Sequence, residues 1–256
     1  MCLIVFAWRS NSQHKLLVAA NRDEYYARPT APLHAWQEAP HILAGRDLEH
    51  GGTWLGATRT GRFAALTNVR NPTAALGTQS RGFLVRDFLQ HTESPERFYQ
   101  QLQPNLHAYS PFNLLIGDGD NLFYLNHTGS FLKLPPGVYG LSNAQLDTPW
   151  PKLVQGKQQL QNLLTRDVGI DALLALLAHD ETAADEDLPN TGIDTALEKK
   201  LSSRFIHFEG YGTRCSTLLL QSRGNSILHE RRFNTQGKPD GDTHYSWPIE
   251  NTLNTY

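Results

Sequence analysis

Short apolar runs separated by polar turns dominate the first part of the chain. Residues 3–8 and 16–20 are continuously apolar, and residues 53–58 and 62–68 repeat the arrangement. Two apolar runs joined by a short turn predict a β-hairpin, so two hairpins are expected here. Continuous rather than alternating apolarity predicts strands that are buried on both faces.

The remainder of the chain mixes helical and strand patterns. Apolar residues at helical spacing predict four helices, at residues 80–91, 94–103, 152–164 and 170–179. Further strands are predicted at residues 113–116, 122–125, 138–142, 205–208, 213–221 and 226–233. Prolines or acidic residues mark loops at 29–40 and 180–189, and the tail from residue 234 is polar.

This order of elements predicts an α+β fold in which two mainly antiparallel sheets pack on each other with helices outside. The 256 residues, 39% of them hydrophobic, can bury a full core without staples, and we expect one domain over residues 1–256. The two cysteines, Cys2 and Cys215, are too few for a disulfide framework. A reducing compartment is therefore expected.

The charge balance narrows the classes of partner. Lys and Arg number 23 against 25 Asp and Glu, a formal charge of −2, which does not favour nucleic acid or an anionic membrane. The apolar segment 3–8 is far shorter than the roughly 20 residues of a membrane helix and lacks the basic flank of a signal peptide. We predict a cytoplasmic protein without stable membrane insertion.

Cys2 is the sharpest chemical feature. Removal of Met1 would make it the N-terminal residue, so that a thiol nucleophile and an α-amino base, with a reference pKa of roughly 7.7–8.0, share one residue. This combination is typical of N-terminal-nucleophile catalysis. The alternative is that Cys2 is simply a small apolar residue at the start of a strand.

Four polar residues, 21–24, end the second predicted strand and strengthen the hypothesis that Cys2 is functional. A hairpin brings the end of its second strand beside the start of its first, so Asn21, Arg22 and Asp23 should lie next to Cys2. An acid there would orient the α-amino group, and Arg22 could lower the thiol pKa or bind a substrate carboxylate. The alternative is an ion-pair cluster at the surface.

Three further polar residues are placed in or beside strands. Asn68 and Asn143 end apolar strands, where an amide N–H could stabilise an oxyanion, or where asparagine could simply form a turn. Arg214 enters an otherwise apolar strand, so it either pairs with an acid such as Asp23 or faces a ligand. Cys215 is expected to be a packed core thiol.

Motifs for metals and nucleotides are not found. The histidines of the proline-rich loop form no metal-binding motif, and residues 117–120 lack the ligands of a calcium loop. Residues 210–212 lack the third glycine of a dinucleotide-binding turn. No metal or required cofactor is predicted.

Six motifs occur in the order of a known family: residues 1–4 (MCLI), 20–24 (ANRDE), 51–56 (GGTWLG), 66–68 (LTN), 139–143 (YGLSN) and 212–217 (GTRCST). From Cys2 to about Phe233 the chain resembles the NRDE family, also called the transport-and-Golgi-organisation family. The resemblance implies the four-layer αββα fold of N-terminal-nucleophile hydrolases. Its layout is also similar to the choloylglycine hydrolase and penicillin V acylase group.

The resemblance also implies roles for individual residues. By this resemblance, Cys2 is the nucleophile, and Arg22 and Asp23 are its immediate partners. Asn68 and Asn143 serve the oxyanion and the α-amino group, and Arg214 orders the site. Asn21 and Glu24 have no clear counterpart in the hydrolase group and are assigned to substrate binding.

The expected function is Cys2-dependent hydrolysis of a non-peptide amide whose small apolar acyl group lies near Trp54 and Phe63. The family resemblance supplies an alternative, a non-catalytic intracellular carrier that binds haem, a lipid or acyl-CoA in the same cleft. Met1 separates the two hypotheses, because a retained Met1 leaves Cys2 without its α-amino base.

Overall fold

The computed structural model describes residues 2–166 and 168–248. Met1, whose removal or retention separates the two hypotheses, lies outside these ranges. The strands are β1 (Cys2–Trp8), β2 (Leu16–Tyr25), β3 (Thr30–Ala35), β4 (Ile42–Asp47), β5 (Leu55–Thr58), β6 (Phe63–Asn68), β7 (Phe112–Gly117), β8 (Leu122–Asn126), β9 (Phe131–Lys133), β10 (Gly137–Leu141), β11 (His207–Phe208), β12 (Tyr211–Gln221), β13 (Asn225–Phe233) and β14 (Pro239–Pro248).

The helices are α1 (Gly82–Gln90), α2 (Pro95–Leu102), α3 (Pro151–Leu163), α4 (Ile170–Leu177) and α5 (Thr195–Lys200). Ser94 caps α2 by accepting a hydrogen bond from the backbone N–H of Arg97, and Pro95 occupies the first turn. In the described ranges, no helix has the length and apolar character needed to cross a bilayer.

Two antiparallel sheets form the centre of the fold. The first sheet has the order β10-β1-β2-β12-β13-β14, with β11 pairing with β12, and the second has the order β3-β4-β5-β6-β7-β8-β9. One apolar core lies between the two sheets. A second core lies between the first sheet and helices α3 and α4, and a third lies between the second sheet and helices α1 and α2. The predicted α+β, four-layer αββα architecture is confirmed.

The first hairpin is buried on both faces, as predicted. In β2, Val18 and Ala20 face the core between the sheets, while Leu17 and Ala19 face the helices. Successive side chains of a strand point to opposite faces, so this alternation continues into the polar residues that follow.

One loop prediction is wrong, and one strand in the polar tail was not predicted. The proline-rich loop at 29–40 contains β3, where Pro32 is tolerated because β3 is an edge strand whose pairing shifts between Ala31 and His34. The polar tail contains β14, an edge strand that pairs through its backbone with β13 while Trp247 is buried. Neither strand has the apolar pattern on which the prediction depended.

Candidate active site

Cys2 begins β1 and opens onto a cavity of about 480 Å³. It is paired in register with Arg22 of β2, and Arg22 is in turn paired with Cys215 of β12. The expected meeting of Cys2 with the polar end of the second strand is therefore present in the structure. The cavity also receives the end of β6 and the start of α1, through Asn68 and residues 80–82.

Arg22 lies on the cavity side of β2 and is only 6% exposed. Its guanidinium carbon lies 4.2 Å from the centre of the Trp54 ring, and Nη1 donates a hydrogen bond to Thr30 Oγ1 at 3.2 Å. A cation over an indole face is an attractive arrangement, and it fixes the plane of the guanidinium. Trp54 consequently serves as a platform for Arg22 in the cavity wall.

Asp23 also lines the cavity but is buried at 1% exposure. Its Oδ1 accepts a hydrogen bond from Thr213 Oγ1 at 2.7 Å, and its backbone carbonyl accepts one from the Tyr211 hydroxyl at 3.0 Å. Burial raises the pKa of Asp23 to about 6, although the charge of Lys152 opposes that rise. Asp23 is therefore a carboxylate that titrates close to neutrality.

Lys152 is a site neighbour that the sequence analysis missed. It is 4% exposed, and its Nζ donates a hydrogen bond to the Leu201 carbonyl at 2.8 Å. Burial lowers the pKa of Lys152 to about 8, while Asp23 opposes that shift. A signal was available, because Lys152 lies on the buried stripe of α3 with Leu153, Gly156 and Leu160.

The two asparagines have different positions. Asn68 lines the cavity, whereas Asn143 is 1% exposed and donates from Nδ2 to the backbone carbonyl of Asn68 at 2.8 Å. Ser142, also missed, donates at 3.2 Å both to the Cys2 carbonyl and to Asn143 Oδ1. Asn143 and Ser142 thus hold Asn68 and Cys2 in fixed relation.

Arg214 lies where the pairing of β12 with β2 shifts, between Thr213 and Cys215. Such a bulge redirects a side chain. Arg214 Nη1 donates to the carbonyls of Tyr25 and Arg28, at 2.9 and 3.1 Å. Neither the predicted pairing with Asp23 nor contact with the cavity is found among the described residues, so Arg214 orders the 25–28 turn from outside.

Asn21 does not face the cavity opening as its assignment to substrate binding requires. Its Nδ2 donates to the carbonyls of Leu177 and Arg204, at 3.0 and 2.8 Å, and its Oδ1 accepts from Ser216 Oγ at 2.6 Å. The alternation of β2 turns this side chain toward the helices. Asn21 therefore ties the sheet to the chain beyond α4.

The remaining predicted substrate contacts divide in two. Glu24 and Trp54 line the cavity, and Glu24 Oε1 accepts a hydrogen bond from the Tyr25 backbone N–H at 2.9 Å. Phe63 is 1% exposed in the core between the sheets, so its assignment to the pocket is wrong. It begins β6 whereas Asn68 ends it, and five residues of strand separate the two by roughly 17 Å.

The thiol of Cys2 is not activated by the cavity alone. Burial raises the pKa of Cys2, and the positive charge of Arg22 opposes that shift without reversing it. Arg22 thus lowers the thiol pKa, but burial of the thiol outweighs this effect. A proton acceptor is required if the sulfur is to act as a nucleophile.

A cluster at the rim has the donor atoms of a cation site. Ligand atoms of Asp47, Glu49 and His50 lie within 4.8 Å of one another. Arg28 pairs with Asp47 at 2.7 Å and with Glu49 at 2.9 Å, and its Nη2 lies 3.2 Å from His50 Nδ1. A guanidinium thus already supplies the positive charge at this position.

The glycines of the 51–56 motif allow α1 to approach the cavity. Thr53 N–H donates to the Gly82 carbonyl at 3.2 Å, and a Cβ on Gly52 would lie 2.6 Å from the carbonyl carbon of Gly82. No real Cβ contact is this short. Only glycine at position 52 therefore permits the start of α1 to lie where Arg81 lines the cavity.

Gly52→Ala should lower the free energy of unfolding by about 1–3 kcal/mol, because the added methyl displaces backbone rather than a flexible side chain. Urea denaturation measures this loss. Gly169→Ala is the matched control, since a Cβ there meets nothing within 4 Å, and it should change stability by no more than about 0.5 kcal/mol. Equal stability of the two variants would contradict the close approach.

Two antiparallel sheets covered by helices, with a cysteine starting an interior strand, define the N-terminal-nucleophile hydrolase fold. The structure is similar to the mutant C2A conjugated bile acid hydrolase from Clostridium perfringens, with a TM-score of 0.52 and 9% identity over 99% of this chain and 100% of that chain. At this identity the likeness establishes the fold alone.

The chain belongs to the Transport and Golgi organisation 2 family, whose model matches residues 1–235. It is 36% identical to the human Transport and Golgi organization protein 2 homolog, covering 91% of this chain and 92% of that protein. The bovine homolog is 35% identical with the same coverage. The family predicted from the six motifs is confirmed.

Proposed function

We propose that the protein hydrolyses a non-peptide amide with Cys2 as the N-terminal nucleophile. The observation that carries this proposal is the position of Cys2, which opens onto a cavity at the start of an interior strand and is paired with Arg22 beside the buried Asp23. The hydrolase-like scaffold supports the same chemistry. Leu66 and Leu76, which also line the cavity, offer contacts for an apolar acyl group.

The reaction begins after removal of Met1. The α-amino group of Cys2 takes the thiol proton while sulfur bonds to the amide carbonyl carbon, which becomes a tetrahedral oxyanion. Collapse of this intermediate breaks the C–N bond, and the amino group returns its proton to the leaving nitrogen. Water then cleaves the thioester to a carboxylic acid and restores the thiol.

The surrounding residues have separate tasks in this scheme. Asn68, on the cavity wall, is the candidate donor to the oxyanion. Asn143 positions Asn68 by donating a hydrogen bond to the backbone carbonyl of Asn68. Asp23 orients the α-amino group and stabilises its positive charge. The raised thiol pKa of Cys2 fits general-base activation, in which the proton moves as the new bond forms.

The same raised pKa favours a second candidate function, a carrier that binds haem or an acyl ligand without reacting. A buried neutral thiol is unreactive when no base adjoins it. With Met1 retained, the cavity would serve for binding only. The two functions therefore differ in whether the mature protein exposes an α-amino group on Cys2.

Intact mass of the purified protein, before and after iodoacetamide treatment, tests the proposal. We expect loss of Met1 and a single label on Cys2, because Cys215 is 4% exposed and burial raises the pKa of its thiol well above the ordinary value. Cys2→Ala and Cys215→Ala variants assign the label. Retained Met1 would overturn the hydrolase, and a haem or acyl-ligand titration would then test the carrier.

A further inference from the structure

Two arginines of the cavity wall form no ion pair with an acid in the part of the chain that the structure describes. Arg28 is neutralised by Asp47 and Glu49, at 2.7 and 2.9 Å. Arg22 and Arg81 line the same cavity, yet within residues 2–166 and 168–248 neither forms an ion pair with a carboxylate. The scheme for amide hydrolysis gives Arg81 no task.

The burial of Arg22 makes its lack of a partner significant. A guanidinium removed from water is costly unless charge and hydrogen bonds compensate for the lost solvation. Arg22 is 6% exposed, and the one hydrogen bond that its side chain forms within the described residues, to Thr30, engages a single N–H of the five that arginine carries. Stacking on Trp54 compensates the face of the group and leaves its edge available to the cavity.

Arg81 lines the cavity from the start of α1, whereas Arg22 lines it from β2. It immediately precedes α1, is half-buried, and Nη1 donates to the Pro111 carbonyl at 3.1 Å. Burial lowers the pKa of Arg81, while Cys2 and Glu24 oppose that shift. Arg81 and Cys2 line the same cavity, so a ligand bound at Cys2 can reach Arg81.

Three acidic residues also line the cavity, and among the described residues none of them forms an ion pair with Arg22 or Arg81. Asp47 is paired with Arg28, and Asp23 accepts a hydrogen bond from Thr213. Glu24 is the remaining carboxylate of the wall, and its Oε1 accepts from a backbone N–H. Among the described residues, Arg22 and Arg81 are thus the two arginines of the wall whose guanidinium groups form no ion pair.

We propose that Arg22 and Arg81 form a subsite for an oxyanion group, a carboxylate or a phosphate, carried by the ligand that occupies the Cys2 cavity. Arginine matches both groups because its planar fork can donate two parallel hydrogen bonds. If the proposed amide hydrolysis holds, on which this part of the inference rests, the substrate is an N-acylated amine that carries an acidic group. As a statement about binding, the inference is independent of turnover.

Isothermal titration of the Cys2→Ala protein with three octanoyl amides tests the subsite. N-octanoylglycine carries a carboxylate, N-octanoyl-2-aminoethyl phosphate carries a phosphate, and N-octanoylethanolamine is neutral and similar in size to the glycine amide. We expect at least one acid to bind about tenfold more tightly than the neutral amide, and the tighter acid identifies the oxyanion. Equal affinities, or no saturable binding of either acid, would overturn the inference.

Substitution of Arg81 in the same background locates the effect. Arg81→Met should lower the ratio of acid to neutral affinity towards one, because only Arg22 remains, and Arg81→Lys should give an intermediate ratio, because charge is kept and the fork is lost. Arg86→Met, on the same helix but outside the cavity wall, is the matched control and should keep the full ratio. A ratio unaffected by Arg81→Met would also overturn the inference.

Two additional measurements separate the possible failures. Thermal melting confirms that each variant is folded, and the Arg81→Lys protein retains a test if Arg81→Met is unstable. Hydrolysis of the same three amides by the unsubstituted protein tests the proposed function. Selective binding of an acid without hydrolysis would reject the proposed amide hydrolysis and support the oxyanion subsite. Hydrolysis without selective binding would support the proposed amide hydrolysis and reject the subsite.

Discussion

Cys2→Ala is expected to abolish amide hydrolysis, with a loss of at least about 10⁴-fold, because the sulfur is the only atom that bonds to the substrate in the proposed scheme. The fold should remain. Cys2 contributes to the sheet through its backbone, by pairing with Arg22 and by accepting the Ser142 hydrogen bond at its carbonyl. Release of amine from the best substrate of an amide screen measures the loss.

Cys215→Ala provides the control for this loss. Cys215 belongs to the same sheet, is paired with the same Arg22, and is almost fully buried. Its removal should leave turnover within about threefold while costing roughly 1 kcal/mol of stability. Turnover by Cys2→Ala comparable with that of the unsubstituted protein would reject Cys2 as the nucleophile.

The sequence predicted the interior of the fold well and its edges poorly. β1 and β2 are apolar on both faces, so burial and pairing follow from composition alone. β3 contains Pro32 and β14 is largely exposed, because an edge strand needs neither a second apolar face nor a complete set of N–H donors. The information that fixes these edges lies in their backbone partners.

The candidate site shows how strand alternation divides a motif. Residues 21–24 were grouped because they are adjacent in sequence and polar. In β2, Arg22, Asp23 and Glu24 line the cavity, but Asp23 also accepts a hydrogen bond from Thr213 of β12, and Asn21 bonds to the chain beyond α4. The period of two therefore turns Asn21 away from the cavity and leaves Asp23 between the cavity and its support.

Other components of the site come from distant parts of the chain. Arg81 reaches the cavity only because Gly52 permits the close approach of α1, and Lys152 reaches Asp23 from the start of α3. These positions depend on packing between layers, which short-range patterns do not encode. The sequence motifs identified Cys2 and Asn68 as site residues because each lies at the end of an apolar strand, Cys2 at the start of β1 and Asn68 at the end of β6.

Asp23 connects function with stability, because the carboxylate that would orient the α-amino group is buried. Burial raises the pKa of Asp23 from 3.8 to about 6 in the folded protein. The unfolded chain therefore gives up this proton at lower pH than the folded protein does. Between these pH values the folded state binds more protons, so the contribution of Asp23 to stability falls as pH rises.

Asp23→Asn should therefore stabilise the protein at neutral pH while impairing it as an enzyme. Removing the buried charge should add about 2 kcal/mol to the free energy of unfolding at about pH 7, relative to the difference at about pH 4, where the unfolded carboxyl is half protonated. Asparagine can still accept the Thr213 hydrogen bond at Oδ1. Turnover should fall about 10²–10⁴-fold, because a neutral amide stabilises the protonated α-amino group less well.

Urea denaturation of both proteins across this pH range measures the stability difference, and amine release measures turnover. Asp120→Asn is a control of opposite sign, because the exposed Asp120 accepts a 2.8 Å hydrogen bond from Lys15, which lowers its pKa. Its loss should slightly destabilise the protein above the pKa of the free carboxyl. An Asp23→Asn protein whose relative stability is independent of pH would show that Asp23 is ionised at no cost in the fold, and unchanged turnover would remove it from the mechanism.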